Sequence, residues 1–449
     1  MDNVQTHEKN NNAATVKPLA AKPDATLAVP GSKSLANRAI LLAAAAEGES
    51  SLTSVPASDD IRAALSALKN LGIRHDFSGG ILTVRGCGLD FPVKGGSVYI
   101  GSSGTVGRFL PGILAAAPAG EWLLESTEQL ARRPLANLLN ALSSLGARLE
   151  QLDPALSFPL RVRAGGLSGK SVAVSAAKSS QFASGVLLAS PLADFPVEVV
   201  ITDLDPDEAY IAMTLDLMRE FGVACGVMAA GGVTKVAVPA PQRYRAVRMA
   251  IEADFNSALY FLSLPLLVGG SVTVSNLGNG SGQPGLKFLE VLARLGGDVD
   301  ATASGITVRR RDRMPLRGGF NLDMRAMSEM ALTLGVLAVF ADAPITMTNL
   351  AHIRGHETDR LAALGKLLGS VNVRTEMGDD WIRIHPQERE DIPFATIDSM
   401  DDHRLVMSFS LLGLAANGLA ITNYRAVDKT FPEYFDYLKT LGADVSFNS

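Results

Sequence analysis

A short helical pattern that ends in an apolar residue followed by glycine recurs six times along the chain. The six copies end at Gly72, Gly146, Gly222, Gly296, Gly369 and Gly442. Successive copies are therefore 74, 76, 74, 73 and 73 residues apart. Each glycine stands where a helix C-cap commonly requires a positive φ, which glycine adopts without strain. Such even spacing predicts a sixfold structural repeat, and this repeat restricts the fold more than any other feature.

Each repeat contains strand-like segments as well as helices. One such segment stands about twenty residues before each helix end, and another usually follows it, as in ILTVRG at 81–86 and WIRIHP at 381–386. Ala and Leu recur at helical spacing in SLANRAILLAAAA and MALTLGVLAVFA, which is typical of buried helices. Because a unit of this size is too long for a solenoid repeat, we expect two α/β domains of three units each, with sheets outside and helices packed inward.

The length and composition exclude several other classes of protein. The 449 residues exceed what one hydrophobic core usually organises, and 47% of them are hydrophobic, so the chain is neither disordered nor fibrous. Asp and Glu number 46 against 41 Lys and Arg, and this net charge of -5 gives no indication of nucleic-acid binding. The two cysteines, Cys87 and Cys225, predict neither a disulfide framework nor a thiolate metal site.

The apolar segments and the first residues favour a cytoplasmic protein without a membrane partner. The longest apolar runs, at 39–46 and 335–341, are too short to span a membrane. Residues 1–17 are polar and lack the apolar stretch of a signal peptide. We expect this first segment to be disordered.

The segment PGSKSLANR, residues 30–38, places cations at the start of a predicted helix. Ser32 or Ser34 can cap this helix, and Lys33 and Arg38 lie in its first turns. A helix N-terminus already carries partial positive charge, so cations there are favourable only beside an anion. A lone motif of this kind is often an ordinary helix start, but it also fits a phosphate or carboxylate site.

Other segments have a similar character. GSSGTVGR at 101–108 joins glycines and hydroxyls to Arg108, without the Gly-Lys-Ser/Thr ending of a nucleotide P-loop. KSSQF at 178–182 offers neutral hydrogen-bond donors, and GHETDRL at 355–361, DDHR at 401–404 and DKTF at 428–431 combine cations with carboxylates. Taken singly, each of these is as readily a helix cap or a structural ion pair.

Six cations stand in segments that are otherwise mostly apolar or small. They are Lys33, Arg108, Arg133, Arg360, Arg404 and Lys429. A buried cation without a partner is energetically costly. We therefore expect a cleft that collects these side chains around a small polyanion.

The order of these motifs resembles that of the EPSP synthases, the 5-enolpyruvylshikimate-3-phosphate synthases of the shikimate pathway. The matching segments are PGSKS…NR, the Gly-x-x-Gly-Thr turn, RRP at 132–134, SSQF, ETDRL, DHR and KTFPEYF. The resemblance runs from about residue 24 to 445. The UDP-N-acetylglucosamine enolpyruvyl transferases share that family's fold, but their motifs are much less similar to these.

The resemblance implies an α/β (α+β) fold, a two-domain inside-out α/β barrel of six βαβαββ repeats. Residues 31–250 would form the first domain, with three repeats. Residues 18–30 and 251–449 would form the second domain, with the other three. Substrates would bind between the domains and draw them closed.

The resemblance also implies an enzyme that transfers the enolpyruvyl (carboxyvinyl) group of phosphoenolpyruvate (PEP) to a hydroxyl of shikimate 3-phosphate or a related acceptor. The reaction is an addition followed by elimination of phosphate, within aromatic amino acid biosynthesis. No metal and no organic cofactor is implied. We expect a monomer whose partners are small-molecule substrates, with neither nucleic acid nor membrane.

Three sets of site residues follow from the same resemblance. The catalytic residues would be Lys33, Glu329, Glu357 and His403, with Glu357 handling the methylene proton. The PEP-binding residues would be Lys33, Gly104, Arg133, Gln181, Arg360, Arg404 and Lys429, with Arg360 and Arg404 as a fork for the carboxylate. The acceptor-binding residues would be Ser34, Arg38, Thr105, Ser179, Ser180, Gln181, Asp207, Tyr210, Glu329, His352 and His356.

The acceptor half departs from the family pattern. Glu329 stands where the family has Asp, His356 replaces a Lys and His352 replaces an Asn. Asp207 takes the place of a serine that usually holds the shikimate phosphate, and a carboxylate there would repel a phosphate. These departures leave alternatives open: an enolpyruvyl transferase for a non-shikimate acceptor such as a nucleotide in specialised metabolism, a lyase acting on a shikimate-like ring, or a non-catalytic binding protein.

Overall fold

The computed structural model describes residues 12–204, 209–230 and 233–448. Within these residues the strands are β1 Ala13–Val16, β2 Asp24–Leu27, β3 Glu47–Thr53, β4 His75–Ser78, β5 Ile81–Cys87, β6 Gly95–Tyr99, β7 Glu121–Glu125, β8 Arg148–Gln151, β9 Leu160–Arg163, β10 Ser171–Ser175, β11 Val197–Thr202, β12 Gly226–Ala230, β13 Val233–Val238, β14 Arg248–Ala250, β15 Gly270–Val274, β16 Asp298–Ala301, β17 Ile306–Arg310, β18 Asn321–Asp323, β19 Ile345–Thr348, β20 Thr375–Met377, β21 Ile382–Ile384, β22 Ala395–Asp398, β23 Leu419–Thr422 and β24 Val445–Asn448.

The α-helices of the same residues are α1 Lys33–Ala45, α2 Asp59–Asn70, α3 Gly104–Ala115, α4 Glu128–Ala131, α5 Ala136–Ser144, α6 Ser180–Ala189, α7 Ala209–Glu220, α8 Phe255–Val268, α9 Phe288–Arg294, α10 Ala331–Val339, α11 Arg360–Gly369, α12 His403–Ala415 and α13 Tyr434–Thr440. Short 3-10 turns at Arg325–Met330, Ala351–Gly355 and Tyr424–Lys429 matter for the site described below. No helix among the described residues is long and apolar enough to cross a membrane.

The described strands form six four-stranded sheets, each with one parallel pair followed by two antiparallel neighbours. Three sheets come from consecutive βαβαββ units, in the orders β6-β7-β9-β8, β10-β11-β13-β12 and β18-β19-β21-β20. The other three, β14-β3-β5-β4, β16-β17-β15-β2 and β22-β23-β1-β24, repeat this order with one strand supplied from a distant part of the chain. The sixfold repeat is therefore confirmed, and three of its units are completed across the chain.

Each repeat ends its second helix with the same backbone motif. The N–H two residues beyond the cap donates to a carbonyl five residues earlier, from Ile73 to Leu68, Ala147 to Leu142, Val223 to Met218, Gly297 to Leu292, Val373 to Leu368 and Ala443 to Leu438, at 2.9–3.1 Å. Five of the six predicted glycines have the positive φ of this motif. The prediction of a positive φ is wrong for Gly369, which is the last residue of α11, and Asn372, with φ of 65°, takes the role. Asn is the residue that best replaces glycine in this conformation.

The segment expected to be disordered over residues 1–17 is in part a strand. Its residues 1–11 lie outside the described residues. The strand β1 pairs antiparallel with both β23 and β24, and Ala14 and Val16 are fully buried. Four small residues carry too short a pattern to be distinguished from the polar residues before them, and only the two distant partner strands give this segment its structure.

The hydrophobic residues form two separate cores. One contains buried side chains from Ala36 to Ile251, and the other contains those from Ala14 to Val29 together with Ala253 to Ala443. Helices lie inside and sheets outside, as expected, since every residue of α3, α10 and α12 is buried. This partition supports the limits expected for the two domains, 31–250 against 18–30 with 251–449, which we keep as a proposal.

The chain crosses between the two cores twice, and the crossings lie side by side. The Ser32 N–H donates to the Glu252 carbonyl (2.6 Å), and the Asp254 N–H donates to the Pro30 carbonyl (2.9 Å). Gly31 lies between them, where a Cβ atom would stand 2.0 Å from the backbone oxygen of Ser54. Only glycine fits this close approach of backbone segments.

Candidate active site

A cavity of about 920 Å³ lies between the two cores and is lined by residues of both. Five helices begin at it, namely α1, α3, α6, α11 and α12, and residues of their first turns or N-caps line its wall. Helix N-termini carry partial positive charge and unpaired N–H groups, which attract anions. Eight cationic side chains and five carboxylates of the described residues line the same cavity. The fold thus builds a site for a small molecule with several negative charges.

Arg360 lies in the second domain's wall of the cavity, and all five of its N–H groups have partners. Its Nε donates to Asp402 Oδ2 (2.7 Å). Its Nη2 donates to Asp402 Oδ1 (3.2 Å) and Glu357 Oε2 (2.8 Å). Its Nη1 donates to Glu329 Oε2 (3.2 Å) and to His356 Nδ1 (3.0 Å). Since Asp402 is fully buried and also caps α12, it fixes the orientation of this guanidinium.

Glu329 reaches a second guanidinium as well. Its Oε2 lies 2.5 Å from Arg404 Nε, an ion pair in which the N–H does not point at the oxygen. Burial opposes ionisation of Glu329, but the charges of Arg404 and Arg360 outweigh it and hold the pKa of the carboxyl far below its usual range. Arg360 and Arg404 therefore form a fork that already holds a carboxylate, and Glu329 provides it.

Glu357 is a buried carboxylate surrounded by cations from both domains. Its Oε1 lies 3.2 Å from Lys429 Nζ and 3.5 Å from Arg133 Nη1, in addition to the bond from Arg360. Burial raises its pKa, but Lys429, Arg360 and Arg133 together hold the pKa well below the ordinary value for Glu. The Gln129 amide donates to the Glu357 carbonyl (3.0 Å) and ties this residue to the first domain.

Two histidines of the site are neutral. Burial, followed by the charge of Arg360, lowers the pKa of His356 to about 3. Because an arginine can only donate, His356 Nδ1 accepts from Arg360, and its Nε2 carries the proton. Burial likewise lowers the pKa of His403 well below its usual range, and neither of its ring nitrogens has a hydrogen-bond partner in the described residues. His352 Nε2 lies 2.7 Å from the Ser328 hydroxyl.

The first domain contributes cations that are poorly compensated. Arg108 is buried, its Nη1 donates to the Gly104 carbonyl (3.1 Å), and its Nε has no partner in the described residues. Burial, followed by the charge of Arg133, lowers the pKa of Arg108 to about 9, so a bound anion would stabilise it. A Cβ at Gly104 would stand 2.5 Å from Arg108 Nη1, so a side chain here would displace the guanidinium from its present position. Lys33 Nζ is paired with Asp60 Oδ2 at 3.0 Å.

Comparisons with known proteins decide the family. The family profile of EPSP synthase (3-phosphoshikimate 1-carboxyvinyltransferase) matches residues 20–438. The chain is 36% identical over 430 residues to the 3-phosphoshikimate 1-carboxyvinyltransferase 2 of Halalkalibacterium halodurans, covering 96% of this chain and 94% of that one. The chain belongs to the EPSP synthase family. It is likewise 36% identical over 428 residues to the chloroplastic 3-phosphoshikimate 1-carboxyvinyltransferase of Solanum lycopersicum, covering 92% and 82% of the two chains.

Solved structures of EPSP synthases have the same fold. A solved structure of the EPSP synthase of Acinetobacter baumannii matches with a TM-score of 0.80 over 98% of this chain and 100% of that one, at 23% identity. The enolpyruvyl transferase NikO from Streptomyces tendae matches with a TM-score of 0.73 over 97% and 99%, at 15% identity. The predicted fold class, an inside-out α/β barrel in two domains, is confirmed, and the protein is a transferase of the EPSP synthase family.

Most residues predicted from the EPSP synthase motifs line this one cavity. They are Lys33, Ser34, Gly104, Thr105, Arg133, Ser179, Ser180, Gln181, Tyr210, Glu329, His352, His356, Glu357, Arg360, His403, Arg404 and Lys429. Asp207 lies outside the described residues. Ser32, one of the two candidate caps of α1, caps it by accepting from the Leu35 N–H.

The structure does not bring Arg38 into the cavity. Its Nε donates to Thr214 Oγ1 (2.9 Å) and its Nη2 to Ser184 Oγ (3.3 Å). Its Nη1 donates to the Ser34 carbonyl (2.9 Å), and the guanidinium lies 4.8 Å from the centre of the Phe109 ring. Arg38 is 1% exposed and joins α1 to α6 and α7. The sequence motif places it one turn into α1, and the polar partners on two other helices could not be read from that motif.

The motifs did not single out several residues that matter here. Asp402 fixes Arg360 and Asp60 pairs with Lys33. Lys178 and Arg325 add cations to the cavity wall. Asp402 had a signal, since it precedes the apolar α12 as an N-cap would. Among the described residues, no group of three or more His, Cys, Asp or Glu side chains is arranged to hold a metal ion.

Proposed function

We propose that this protein transfers the enolpyruvyl group of PEP to a hydroxyl of shikimate 3-phosphate and releases phosphate. One observation carries the proposal: two cationic clusters flank a single buried carboxylate in a cleft between two domains. The fork of Arg360 and Arg404 lies on one side of Glu357, and Lys429 and Arg133 lie on the other. PEP carries a carboxylate and a phosphate ester on the same carbon, C2, so one small molecule matches both clusters. The names of the relatives agree with this assignment.

The donor half of the cavity follows from these charges. We assign the PEP carboxylate to Arg360 and Arg404, whose planar N–H groups suit a carboxylate. We assign its phosphate to Lys429, Arg133 and Lys33, with the Gln181 side chain and the Gly104 backbone beside them. Glu357 and Glu329 are two of the carboxylates that these cations hold in the structure, and PEP would take over part of their ion pairs.

The chemistry is an addition followed by an elimination. The acceptor oxygen forms a bond to C2 of PEP, Glu357 gives its proton to C3, and the product is a tetrahedral ketal. The C2–O bond to phosphate then breaks, phosphate leaves, and Glu357 takes a proton back from C3. The acceptor loses one proton in the sequence, and the released phosphate or solvent receives it. Lys33 neutralises the developing charge, and His403 lies beside it as a neutral imidazole.

Glu357 needs a proton to act as the acid, and PEP binding provides the reason to acquire one. Lys429, Arg133 and Arg360 hold its pKa low in the structure. When the phosphate and carboxylate of PEP engage these cations, two more negative groups stand near Glu357. Like charges raise the pKa of a carboxyl, and burial acts in the same direction. The donor would therefore convert Glu357 into a usable general acid.

The acceptor half combines neutral side chains with the Glu329 carboxylate. Ser34, Thr105, Ser179, Ser180 and Tyr210 line the first domain's wall of the cavity. His352, His356 and Glu329 lie opposite on the second domain. We propose that the His356 Nε2–H hydrogen-bonds the acceptor where the family has a charged lysine. We leave Arg38 out of this set because its guanidinium is committed to Thr214, Ser184 and Ser34.

The test is phosphate release from PEP in the presence of shikimate 3-phosphate, with product mass measured in parallel. We expect a product heavier than the acceptor by one enolpyruvyl group. We also expect the release of one phosphate per turnover. Nucleotides and cyclitols as acceptors test the alternative of a different hydroxyl, and incubation of the acceptors without PEP tests a lyase. Tight PEP binding without turnover on any acceptor would contradict the proposal.

We also propose that the protein acts as a monomer in the cytoplasm. One chain supplies both walls of the cavity, so no second copy is needed to complete it. Cys87 and Cys225 are both free thiols, as is usual in a reducing compartment. Light scattering coupled to size-exclusion chromatography should give one chain's mass of 47.2 kDa, and twice that mass would contradict the monomer.

A further inference from the structure

The two arginines that we assign to the donor's carboxylate already bind a carboxylate of the protein itself. Glu329 Oε2 lies 3.2 Å from Arg360 Nη1 and 2.5 Å from Arg404 Nε, so one oxygen bridges both guanidinium groups. The residue that the family pattern would have here is aspartate, which is shorter by one methylene. Glu329 is thus long enough to bridge the two guanidinium groups, whereas a shorter side chain on the same backbone would not reach both.

Arg360 has no free N–H group for the carboxylate of a ligand. Two of its five N–H groups go to Asp402, one to Glu357, one to Glu329 and one to His356. An incoming carboxylate can hydrogen-bond Arg360 only if one of these four residues leaves. The donor therefore competes with a residue of the enzyme for the same guanidinium.

Glu329 is the least anchored of the three carboxylates that bind Arg360. Asp402 is fully buried and caps α12, and the Glu357 side chain is 9% exposed and held by three cations. The Glu329 side chain is 26% exposed and lies in the 3-10 turn Arg325–Met330, whose helical geometry breaks at Met327. A partly exposed side chain on an irregular turn can rotate away at lower cost than a buried cap.

We propose that Glu329 is an internal competitor for the donor's carboxylate, and that PEP binds fully only as Glu329 leaves the fork for the acceptor side of the cavity. This inference rests on the proposed function, because it takes Arg360 and Arg404 as the PEP carboxylate site. It makes Glu329 a residue that sets donor affinity and links donor binding to acceptor binding. Once displaced, its carboxylate lies where it can accept a hydrogen bond from the attacking hydroxyl.

The test is direct PEP binding by calorimetry, without acceptor, to the full-length protein and three variants. Glu329→Gln removes the competing charge, and Glu329→Asp shortens the side chain. Both should bind PEP more tightly than the unmodified protein, by about tenfold to a hundredfold, the range expected when a charge-assisted hydrogen bond no longer has to break. Thermal unfolding of each variant shows that it is folded.

Two controls separate competition at the fork from a general change in cavity charge. Asp203→Asn removes one negative charge from the same cavity on the opposite domain, and it keeps a residue that tolerates the positive φ found there. It should change PEP affinity by less than about threefold, because charges at a distance are screened by solvent in an open cavity. Inorganic phosphate, which has no carboxylate, should bind the Glu329 variants and the unmodified protein with similar affinity.

The outcomes distinguish this inference from the proposed function. If the unmodified protein turns over PEP and Glu329→Gln binds PEP with unchanged affinity, the internal competitor is overturned and the transferase assignment stays intact. If Asp203→Asn raised the PEP affinity as much as Glu329→Gln did, the overall charge of the cavity would explain the effect. The same would hold if the Glu329 variants bound phosphate more tightly to the same degree, and either result would overturn the internal competitor. Absence of both PEP binding and turnover in the unmodified protein would overturn the proposed function and the inference together.

Discussion

Replacing Glu357 by Gln tests the central carboxylate of the cavity. Glu357 lies 2.8 Å from Arg360 Nη2, 3.2 Å from Lys429 Nζ and 3.5 Å from Arg133 Nη1. At an effective dielectric near 20, each contact is worth roughly 5 kcal/mol before desolvation is subtracted. Removing one partner of a buried ion pair costs about 3–5 kcal/mol in practice, because the remaining charges stay buried. We therefore expect Glu357→Gln to lower the free energy of unfolding by about that amount.

The same substitution should abolish catalysis while PEP still binds. Glutamine cannot donate a proton to C3, and a positioned acid or base of this kind contributes about 10²–10⁴-fold in rate. We expect kcat to fall by at least that range, with PEP affinity equal or higher, because three cations are released for the ligand. Steady-state phosphate release gives kcat, and calorimetry gives the affinity. Inorganic phosphate should raise the Tm of the variant more than that of the unmodified protein.

A matched control is Glu128→Gln, the same chemical change on an exposed side chain paired with Arg132. Surface pairs contribute about 0–1 kcal/mol, so this variant should keep its stability and its activity. If Glu357→Gln retained kcat within a few-fold, proton transfer by this residue would be refuted. If the two variants were destabilised equally, the buried ion-pair argument would fail.

The pH dependence of stability follows from the same pKa. The pKa of Glu357 is depressed in the folded protein, so its stabilising contribution is fully present above the unfolded value of about 4.3 and is lost as pH falls below it. The stability difference between the unmodified protein and Glu357→Gln should therefore be constant between pH 6 and 8 and should shrink below about pH 4. Denaturant unfolding at several pH values measures it, and a difference that grew on acidification would contradict the low pKa.

Further predictions concern proton uptake, the histidines and the domain crossing. PEP binding should be accompanied by the uptake of about one proton, because Glu357 becomes protonated. Calorimetry in two buffers of different ionisation enthalpy measures this uptake, and an uptake of zero would show that Glu357 stays ionised. The imidazoles of His356 and His403 should not titrate between about pH 5 and 8, because burial holds both pKa values low, that of His356 at about 3; an NMR titration with a midpoint in that window would disprove this. Gly31→Ala should cost about 1–3 kcal/mol in stability, since its Cβ would stand 2.0 Å from the Ser54 oxygen, whereas Gly280→Ala, with open space around it, should be nearly neutral in the same thermal unfolding assay.

Local sequence signals were sufficient for the repeat, whereas most of the residues that line the cavity were predicted from the family's motifs. A helix end with glycine, a strand with β-branched residues and a cap before an apolar run depend on neighbours in the chain. The prediction failed at Gly369 because Asn372, three residues later, satisfies the same backbone geometry. It failed at residues 13–16 because β1 depends on pairing with strands more than four hundred residues away.

The positions of charged side chains depend on partners that no local pattern reveals. The sequence marks Arg38 and Arg360 alike as cations near a helix start. The structure gives Arg38 hydroxyl partners on two other helices and gives Arg360 three carboxylates. Likewise, the motif identifies Glu329 as the counterpart of a family aspartate, but only the folded chain shows that its oxygen bridges Arg360 and Arg404.

The paired crossings at Gly31 and Ala253 have a consequence for engineering. The Ser32 N–H and the Glu252 carbonyl are joined by a hydrogen bond of 2.6 Å. The chain therefore leaves the second domain and returns to it at a single point, and the residues between form the first domain. This segment could be excised as a unit and replaced by the equivalent domain of a relative, because its two ends are adjacent and the path of the remaining chain would not change. Chimeras made in this way would exchange one wall of the cavity while the opposite wall, with its arginine fork, stayed unchanged.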